Sequence, residues 1–157
     1  MAELRVGLGV DAHAFEDGVP LVLGGVRFEH PRGLAGHSDG DVITHALIDA
    51  ILGAAGLGDI GSLFPSDSST PAGIDSLELL RDAYERVQAD GWRLVNADCV
   101  LIGQEPRIAD RRGELEERLG LLLDAPVSVR ATTTDRLGFT GRGEGLAAQS
   151  VALLVRD

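Results

Sequence analysis

The sequence predicts one α/β or α+β domain in which a single mixed β-sheet packs on helices. Its 157 residues, of which 44% are hydrophobic, have the size and composition of one ordinary globular domain. Segments in which apolar residues recur every second position alternate with segments in which they recur at helical spacing, so strands and helices are interleaved. Because no internal repeat, low-complexity tract or linker interrupts this pattern, residues 1–157 are interpreted as one domain.

The first half of the chain is predicted to hold two strands and a long helix. Large apolar residues alternate with Arg and Gly from Leu4 to Val10, which is the period of a strand. A second strand is predicted from Pro20 to Phe28, with Gly24-Gly25 in its middle as a bulge or a close backbone approach. A helix is predicted to begin near Ser38-Asp39 and to run to about Ala55, where the glycine that follows ends it.

The second half is predicted to hold two helices and three strands. Asp75 followed by Glu78 resembles a capping box, and the helix that they open is expected to end at Gly91. The apolar stripe of this helix consists of Leu77, Leu80, Tyr84 and Val87. A further helix is predicted from the spacing of Ile108, Leu115, Leu119 and Leu122. The remaining strands are predicted over residues 94–102, 127–131 and 146–155.

Charge and composition exclude several classes of protein. The formal net charge of −11 argues against a nucleic acid or an anionic membrane as partner, because both attract basic surfaces. All 14 basic residues are arginines, which excludes lysine Schiff-base and pyridoxal chemistry. The single Cys99 cannot form an internal disulfide. Since no apolar run has membrane-spanning length and the start shows no signal-peptide pattern, a cytoplasmic location is expected.

Asp11, His13 and His45 are candidate metal ligands. Asp11 and His13 are two positions apart at the predicted end of the first strand, so their side chains project from the same face. If the first helix packs across that strand end, His45 joins them, and two histidines with one carboxylate suggest a catalytic zinc with one open position. Asp49, one helical turn after His45, is placed to orient its ring or to line the pocket. A turn aspartate and a half-buried histidine without a metal are equally compatible with this spacing.

The segment from Gly36 to Asp41 lies just before the predicted first helix. Its backbone N–H groups, together with His37 and Ser38 as donors, offer a site for a phosphate group. The simpler interpretation is that Ser38 and Asp39 cap the helix, and for this segment alone it is preferred.

The stretch from Ala131 to Gly145 is the strongest local signal of a ligand site. It combines three consecutive threonines, an aspartate and two arginines in a loop rich in glycine. Hydroxyl and N–H groups bind phosphate oxygens, Asp135 suits a hard cation such as Mg²⁺, and Arg142 can bind a phosphate through two hydrogen bonds. The alternative is a glycine-rich turn with incidental threonines.

The stretch from Leu57 to Pro65 is a second turn-rich segment with an unusual composition. It carries apolar side chains that would be out of place on a loop that only faces solvent. These are Ile60, Leu63 and Phe64.

Together these segments resemble the 2-C-methyl-D-erythritol 2,4-cyclodiphosphate synthase family of the non-mevalonate isoprenoid pathway. The resemblance extends from about Arg5 to Arg156, which is nearly the whole chain. No single motif is decisive, and the combination in this order carries the resemblance. The motifs are Gly9–His13, His37–Asp41 with His45, Leu57–Pro65 and Thr132–Gly145.

The resemblance implies a homotrimer with active sites between neighbouring subunits. In such a trimer Asp11, His13 and His45 would bind one zinc ion per subunit, and Asp135 would supply a ligand to magnesium or manganese. His37 and Thr133 would steady the transition state. The substrate-binding residues that the resemblance implies fall into four groups: Asp11, His13, His37 and Ser38; Asp59, Ile60, Gly61, Phe64, Pro65, Ser66, Asp67 and Ser68; Gly103, Gln104, Glu105, Pro106, Arg107, Ile108 and Ala109; and Thr132, Thr133, Thr134, Asp135, Phe139 and Arg142. The second group would hold the methylerythritol, the third with the threonines would form the cytidine pocket, and Arg142 would belong to the phosphate and trimer-axis region.

The implied reaction is intramolecular. The 2-phosphate of 4-diphosphocytidyl-2-C-methyl-D-erythritol 2-phosphate attacks the β-phosphorus of the same molecule, and CMP leaves. Because the substrate carries its own nucleophile, no Ser-His or Cys-His pair is required, and two cations would neutralise the diphosphate that an acidic chain cannot. Three features depart from the family pattern: Asp135 stands where Glu is usual, Arg107 stands where Lys is common, and the loop Pro65–Ser68 is less acidic than usual.

Two alternative functions use the same residues. A metal-dependent phosphohydrolase would activate water with the same ligands and release inorganic phosphate instead of CMP. A trimer without catalytic activity would bind nucleotides or isoprenoid phosphates through a structural metal. Such a metal would need four protein ligands, and the sequence shows no evident fourth.

Overall fold

The computed structural model describes all of residues 1–157. These residues contain seven strands and five α-helices. The strands are β1 (Glu3–Asp17), β2 (Leu21–Leu23), β3 (Val26–Phe28), β4 (Arg32–Leu34), β5 (Arg93–Ile102), β6 (Val127–Thr132) and β7 (Gly145–Arg156). The helices are α1 (Val42–Ala55), α2 (Ile60–Leu63), α3 (Ser76–Ala89), α4 (Arg112–Leu123) and α5 (Gly138–Gly141), with a 3-10 turn at Ala109–Arg111.

The main sheet has five strands in the order β4-β1-β7-β5-β6. Its β5 and β6 are parallel, and all other neighbours are antiparallel. The predicted class, with helices packed on a mixed sheet, is therefore confirmed. The two remaining strands, β2 and β3, pair with each other in a separate antiparallel hairpin that the sequence analysis does not predict.

Helix α1 lies directly on strand β1 because two glycines leave no side chain between them. A Cβ atom on Gly7 would lie 1.9 Å from the carbonyl oxygen of Ala50, and one on Gly9 would lie 1.9 Å from that of Ala46. The helix in turn presents small residues to the strand, and most of its positions are buried. This close approach fixes which turn of α1 stands over which residue of β1.

Helix α1 begins later than its sequence suggests. Its N-cap is Asp41, whose carboxylate accepts hydrogen bonds from the backbone N–H of Thr44 at 3.1 Å and from the hydroxyl of Thr44 at 2.7 Å. The same carboxylate accepts from the N–H groups of Gly24 (2.9 Å) and Gly25 (2.7 Å) in the β2–β3 turn. The predicted start at Ser38-Asp39 is wrong because Asp41 meets these four donors together. The predicted end is confirmed, with Gly56 in the left-handed conformation at φ 71°.

The predicted strand over residues 20–28 is a hairpin. Gly24 and Gly25 have φ values of 58° and 75°, a pair of left-handed conformations that reverses the chain, so the predicted bulge is wrong. The alternative expectation of a close backbone approach is confirmed, because both N–H groups reach the carboxylate of Asp41.

Strand β1 is longer than predicted and runs on to Asp17. Its last residues pair with β4, which the sequence analysis leaves out. Asp11 and His13 therefore lie within the strand and not at its end.

The other elements of the second half are confirmed within a few residues. Asp75 caps α3 by accepting a hydrogen bond from the N–H of Leu77 at 2.9 Å. In α4 the deepest position at the C-terminal end is Leu123, whereas the predicted Leu122 is only partly buried. The short helices α2 and α5 fall in stretches that the sequence analysis treats as loops.

One face of the main sheet is covered by helices, and the other face is bare along β1. Leu4, Val6, Leu8 and Val10 point away from α1 and are 56–68% exposed. No helix of the chain is long and apolar enough to cross a membrane.

Candidate metal centre and ligand-binding loops

Asp11, His13 and His45 converge on one point. The Oδ2 atom of Asp11 lies 2.7 Å from Nε2 of His13 and 3.3 Å from Nδ1 of His45. The two ring nitrogens are 3.3 Å apart, and the potential ligand atoms all lie within 4.8 Å of one another. The sequence prediction that these three residues form one cluster is confirmed.

The packing of α1 on β1 produces this convergence. Asp11 and His13 lie on the face of β1 that α1 covers, and the close approach at Gly9 brings in the helical turn that contains His45. The cluster is thus set on a strand and a helix that are locked together, which holds ligand atoms more exactly than loops do.

Each histidine uses its second ring nitrogen outside the cluster. His13 Nδ1 donates to the backbone carbonyl of Ala35 at 2.7 Å. His45 Nε2 lies 2.8 Å from Oγ of Ser76 and 3.0 Å from Oγ of Ser38. Partners of this kind fix which nitrogen carries the proton, and they leave the inward nitrogens with lone pairs for a cation.

The electrostatics of the cluster favour a bound cation. Burial raises the pKa of Asp11, but its contacts with the rings of His13 and His45 outweigh burial and lower that pKa to about 2. Burial lowers the pKa of His13, whereas its hydrogen bond to Asp11 and the charge of that carboxylate raise it, with a net upward direction. A carboxylate that stays ionised and shares a proton with a neighbouring imidazole exchanges that proton readily for a metal ion.

A cavity of about 190 Å³ opens onto the cluster. Nine of its eleven lining residues belong to the set predicted from the sequence: Asp11, His13, His37, Ser38, His45, Ile60, Gly61, Phe64 and Ser66. The other two, Thr70 and Leu79, carry no sequence signal that would have found them.

Asp59 and Asp49 shape the rim of this cavity. Asp59 caps α2 through a reciprocal pair of hydrogen bonds with Ser62. Asp49 accepts a hydrogen bond from the N–H of Ile60 at 2.7 Å. The expectation that Asp49 orients the ring of His45 is therefore wrong, because its carboxylate anchors the α2 loop.

The segment before α1 does cap the helix, which is the simpler of the two interpretations, but the cap is Asp41 and not Ser38 or Asp39. The carboxylate of Asp41 already occupies that terminus. His37 instead reaches across the cavity, where its Nε2 hydrogen-bonds to the backbone carbonyl of Thr70 at 2.5 Å. His37 and Ser38 thus line the metal cavity from the side, and Asp39 turns towards Ser76.

The loop after α2 contains three predicted residues that do not line the cavity: Pro65, Asp67 and Ser68. Asp67 accepts hydrogen bonds from the N–H and the hydroxyl of Ser69. Its carboxylate therefore stabilises the loop locally.

The predicted cytidine-pocket segments lie side by side where β5 and β6 end, at the edge of the main sheet that β6 forms. The N–H of Gly103 donates to the carbonyl of Thr132 at 3.0 Å, and the N–H of Thr134 lies 3.4 Å from Oε1 of Gln104. Ile108 is buried in the core, so only its backbone is available to a ligand.

Most of the other predicted residues at this end are available to a ligand. Thr132, Thr133, Asp135, Phe139 and Arg142 are exposed on the neighbouring loop, and so are Glu105, Arg107 and Ala109. Pro106 is half-buried. Arg142 pairs with Glu144 at 2.6 Å.

One chain does not bring the two groups of predicted residues together. Ala12 on β1 pairs with Ala147, Ala147 pairs with Ile102, and Ile102 pairs with Thr132. Three strand spacings separate β1 from β6, which is about 14 Å across the sheet. The cavity at the cluster of Asp11, His13 and His45 is accordingly lined by no residue from the 103–109 or 132–142 segments.

Comparisons with known proteins agree on one family. Residues 4–155 match the sequence model of the YgbB family. The 2-C-methyl-D-erythritol 2,4-cyclodiphosphate synthase of Alkalilimnicola ehrlichii is 56% identical over 158 residues, covering 98% of this chain and 96% of that protein.

Solved structures show the same likeness. The bifunctional IspDF of Campylobacter jejuni superposes with a TM-score of 0.95 at 42% identity, and the alignment covers all of this chain but 43% of that one. The CDP complex of IspF from Plasmodium falciparum superposes with a TM-score of 0.85 at 31% identity and covers 98% of this chain and 97% of that one.

Proposed function

The chain belongs to the YgbB family, and we propose that it carries out the synthase reaction of that family at the cluster of Asp11, His13 and His45. It is a cyclising phosphorus–oxygen lyase that converts 4-diphosphocytidyl-2-C-methyl-D-erythritol 2-phosphate to 2-C-methyl-D-erythritol 2,4-cyclodiphosphate and releases CMP. The observation that carries this conclusion is 56% identity to a named synthase along nearly the whole of both chains. The reaction supplies precursors for isoprenoid biosynthesis.

The donor set of the cluster fits zinc. Two imidazole nitrogens and one carboxylate oxygen are the ligands of a catalytic zinc site, and a three-ligand set leaves a position open towards the cavity. Asp11, His13 and His45 would hold a zinc ion and Asp135 would help to hold magnesium or manganese, and such cations would polarise phosphate oxygens and offset the charge on the diphosphate. Asp135 is exposed and in no ion pair, so its carboxylate is free to bind a second cation.

The residues of the chain act by holding the substrate in a bent conformation. His37 and Ser38 line the metal cavity beside the cluster, where they can donate hydrogen bonds to phosphate oxygens. Asp59 and Gly61 at the start of α2 are suited to the hydroxyl groups of the methylerythritol. Holding the 2-phosphate near the β-phosphorus is what an intramolecular displacement needs from the protein, since no nucleophilic side chain takes part.

The cytidine end of the substrate is assigned to the segments at the far end of the sheet. Residues 103–109 and 132–134 form a joined set of loops there, and related proteins are solved with CDP. We assign Thr133, on this edge, to stabilising the transition state together with His37.

A homotrimer unites the two ends of the site. Within one chain, β1 and β6 are about 14 Å apart. A neighbouring subunit bridges this distance if it places its own 103–109 and 132–134 segments against the metal cavity. The bare apolar face of β1 supplies a surface for such an assembly, because Leu4, Val6, Leu8 and Val10 lack any cover within the chain. The cytoplasmic location expected from the sequence stays a prediction.

Product analysis tests the function. We expect the protein with zinc and magnesium to release one CMP for each cyclodiphosphate formed from the cytidyl substrate, with no inorganic phosphate. His13→Ala and His45→Ala should lose most bound zinc and nearly all activity, because two remaining ligands hold the ion poorly. Release of inorganic phosphate in place of CMP would identify a phosphohydrolase instead, and an inactive protein that binds CDP would identify a nucleotide-binding trimer.

A further inference from the structure

A buried chain of hydrogen bonds leads from the metal cluster to α3. The Nε2 atom of His45 lies 2.8 Å from the hydroxyl oxygen of Ser76, the first residue of α3. Ser76 is fully buried and His45 is nearly so. The Ser76 hydroxyl is in turn hydrogen-bonded to Oδ1 of Asp39.

Asp39 is held as an acceptor. Its Oδ2 accepts from the N–H of Ser76 at 3.0 Å, and its Oδ1 accepts from the N–H of Asp41 at 3.1 Å. Both carboxylate oxygens therefore face backbone donors, in addition to the hydroxyl of Ser76.

The direction of each hydrogen bond follows from a proton count. The hydroxyl of Ser76 has one proton, which it donates in a hydrogen bond to the carboxylate of Asp39. The oxygen of Ser76 is then left as an acceptor, so the proton between it and His45 must come from Nε2 of the imidazole. A neutral imidazole with its proton on Nε2 has a lone pair on Nδ1, the atom that faces Asp11 and His13.

We propose that Ser76 and Asp39 are positioning residues that fix the tautomer and the ring orientation of His45 for metal binding. This inference rests on the proposed metal site. Ser38 also lies near Nε2, at 3.0 Å, but it has no carboxylate behind it to set the direction of its hydroxyl. Ser76 alone joins His45 to a half-buried carboxylate, that of Asp39, and it also ties the start of α3 to the cluster.

Two substitutions separate positioning from simple support of the fold. Ser76→Ala removes the acceptor for Nε2–H. Asp39→Asn keeps the shape of the side chain but adds an amide donor, which can turn the hydroxyl of Ser76 towards His45 and force the ring proton onto Nδ1. Ser150→Ala is the matched control, since Ser150 is also buried but its hydroxyl hydrogen-bonds to the thiol of Cys99, at 3.4 Å, and not to a residue of the cluster.

The measurement is zinc affinity, by competition with a chromophoric chelator, in protein whose thermal unfolding is recorded without metal. We expect Ser76→Ala and Asp39→Asn each to weaken zinc binding about 10- to 100-fold, as loss of such outer partners does elsewhere. Ser150→Ala should stay within twofold of the wild type. Nitrogen NMR of the imidazole rings should place the His45 proton on Nε2 in the wild type and shift it towards Nδ1 in Asp39→Asn.

Zinc affinity within twofold of the wild type in both variants would overturn the proposal, and so would a His45 proton on Nδ1 in the wild-type protein. If Ser76→Ala unfolds, Asp39→Asn and the NMR spectrum of the wild type decide the matter. Failure of the proposed function would look different. It would appear as absence of CMP release by the zinc-loaded wild type, whatever the affinities of the variants.

Discussion

Asp11 is the residue on which the candidate site depends most directly. Its carboxylate is the common neighbour of both histidines, and its contacts with the two rings outweigh the burial that raises its pKa. The same contacts that prepare the site for a cation also couple the stability of the metal-free chain to pH.

The metal-free protein should gain stability from the Asp11–His13 pair over a defined pH window. The pKa of His13 is raised in the folded chain, so its contribution is fully present below about pH 6.5 and is lost as the pH rises through the folded value. The pKa of Asp11 is lowered to about 2, so its contribution is present above 3.8 and is lost as the pH falls towards 2. Thermal unfolding in chelator should show the largest gap between wild type and His13→Gln near pH 5.5, and a smaller gap at pH 8.5.

Asp11→Asn serves as the control for this experiment. It removes the charge that raises the pKa of His13, so the same pH dependence should disappear in this variant. A gap between wild type and His13→Gln that is constant from pH 5.5 to 8.5 would contradict the coupling.

Asp135 is a second residue whose conformation matters. Its φ is 52°, in the left-handed region that aspartate and asparagine tolerate better than glutamate does. This backbone conformation offers a physical reason for an aspartate at a position where the family usually has Glu. If Asp135 binds the proposed second cation, its shorter side chain must reach that cation through the placement of its loop or through a water molecule.

Substitutions at Asp135 should change the magnesium dependence and leave zinc alone. Asp135→Asn keeps the backbone conformation but removes the charge, so we expect a lower rate and a weaker apparent magnesium affinity. Asp135→Glu restores the usual reach and should be tolerated, with a small loss of stability from the positive φ. The measurement is CMP release against magnesium concentration at fixed zinc. An unchanged magnesium curve for Asp135→Asn would remove Asp135 from the metal site.

At the scale of elements, the site depends on the contact between β1 and α1. Gly9 allows the backbone of α1 at Ala46 to rest on the strand, and His45 is the residue just before that contact. A change in the spacing of these two elements must therefore move His45 relative to Asp11 and His13.

Two glycine-to-alanine substitutions test this contact. Gly9→Ala places a methyl group 1.9 Å from the carbonyl oxygen of Ala46, so we expect a loss of about 1–3 kcal/mol in unfolding free energy and weaker zinc binding. Gly53 lies in α1, and a Cβ atom there would have open space around it. Gly53→Ala should therefore raise the unfolding free energy by about 0.5–1 kcal/mol and leave zinc binding unchanged. Denaturant unfolding and zinc titration measure both. Equal effects of the two substitutions would contradict the assigned role of Gly9.

At the scale of the whole molecule, the bare face of the main sheet is the feature that the single chain leaves unexplained. Four large apolar side chains stand in a row along β1 with no cover, while the opposite face of the same strand is packed against α1. A strand with both faces apolar or small is typical of a sheet that is buried on both sides. We therefore expect a second subunit to cover this face of β1.

The assembly should be a trimer with a solution mass of about three times 16.5 kDa. Leu8→Glu puts a charge in the centre of the bare face and should produce monomers with little activity, because each site then lacks its neighbour. Leu121→Glu is the control, since Leu121 is another exposed leucine (75% against 64% for Leu8) on α4, away from that face. Light scattering and CMP release measure both, and a fully active monomer would exclude a site shared between subunits.

The sequence by itself predicted the class of fold, most of the elements of the second half, and the residues of the candidate metal cluster. It could do so because periodicity and residue chemistry are local properties: Asp11 and His13 share a face of any strand, and Gly56 ends a helix without help from distant residues. Nine of the residues that line the metal cavity were predicted from motifs and from their order along the chain.

Only the tertiary structure decided the contacts between residues far apart in sequence. Asp41 and not Ser38 caps α1, because the turn at Gly24 brings two more donors to its carboxylate. Ser76, 31 positions from His45, has no pattern that marks it as a partner of that ring. The register of β1, β7, β5 and β6 likewise sets the distance between the metal cluster and Thr132, and that distance is what a single chain cannot close. These features depend on the packing of whole elements, which local sequence does not encode.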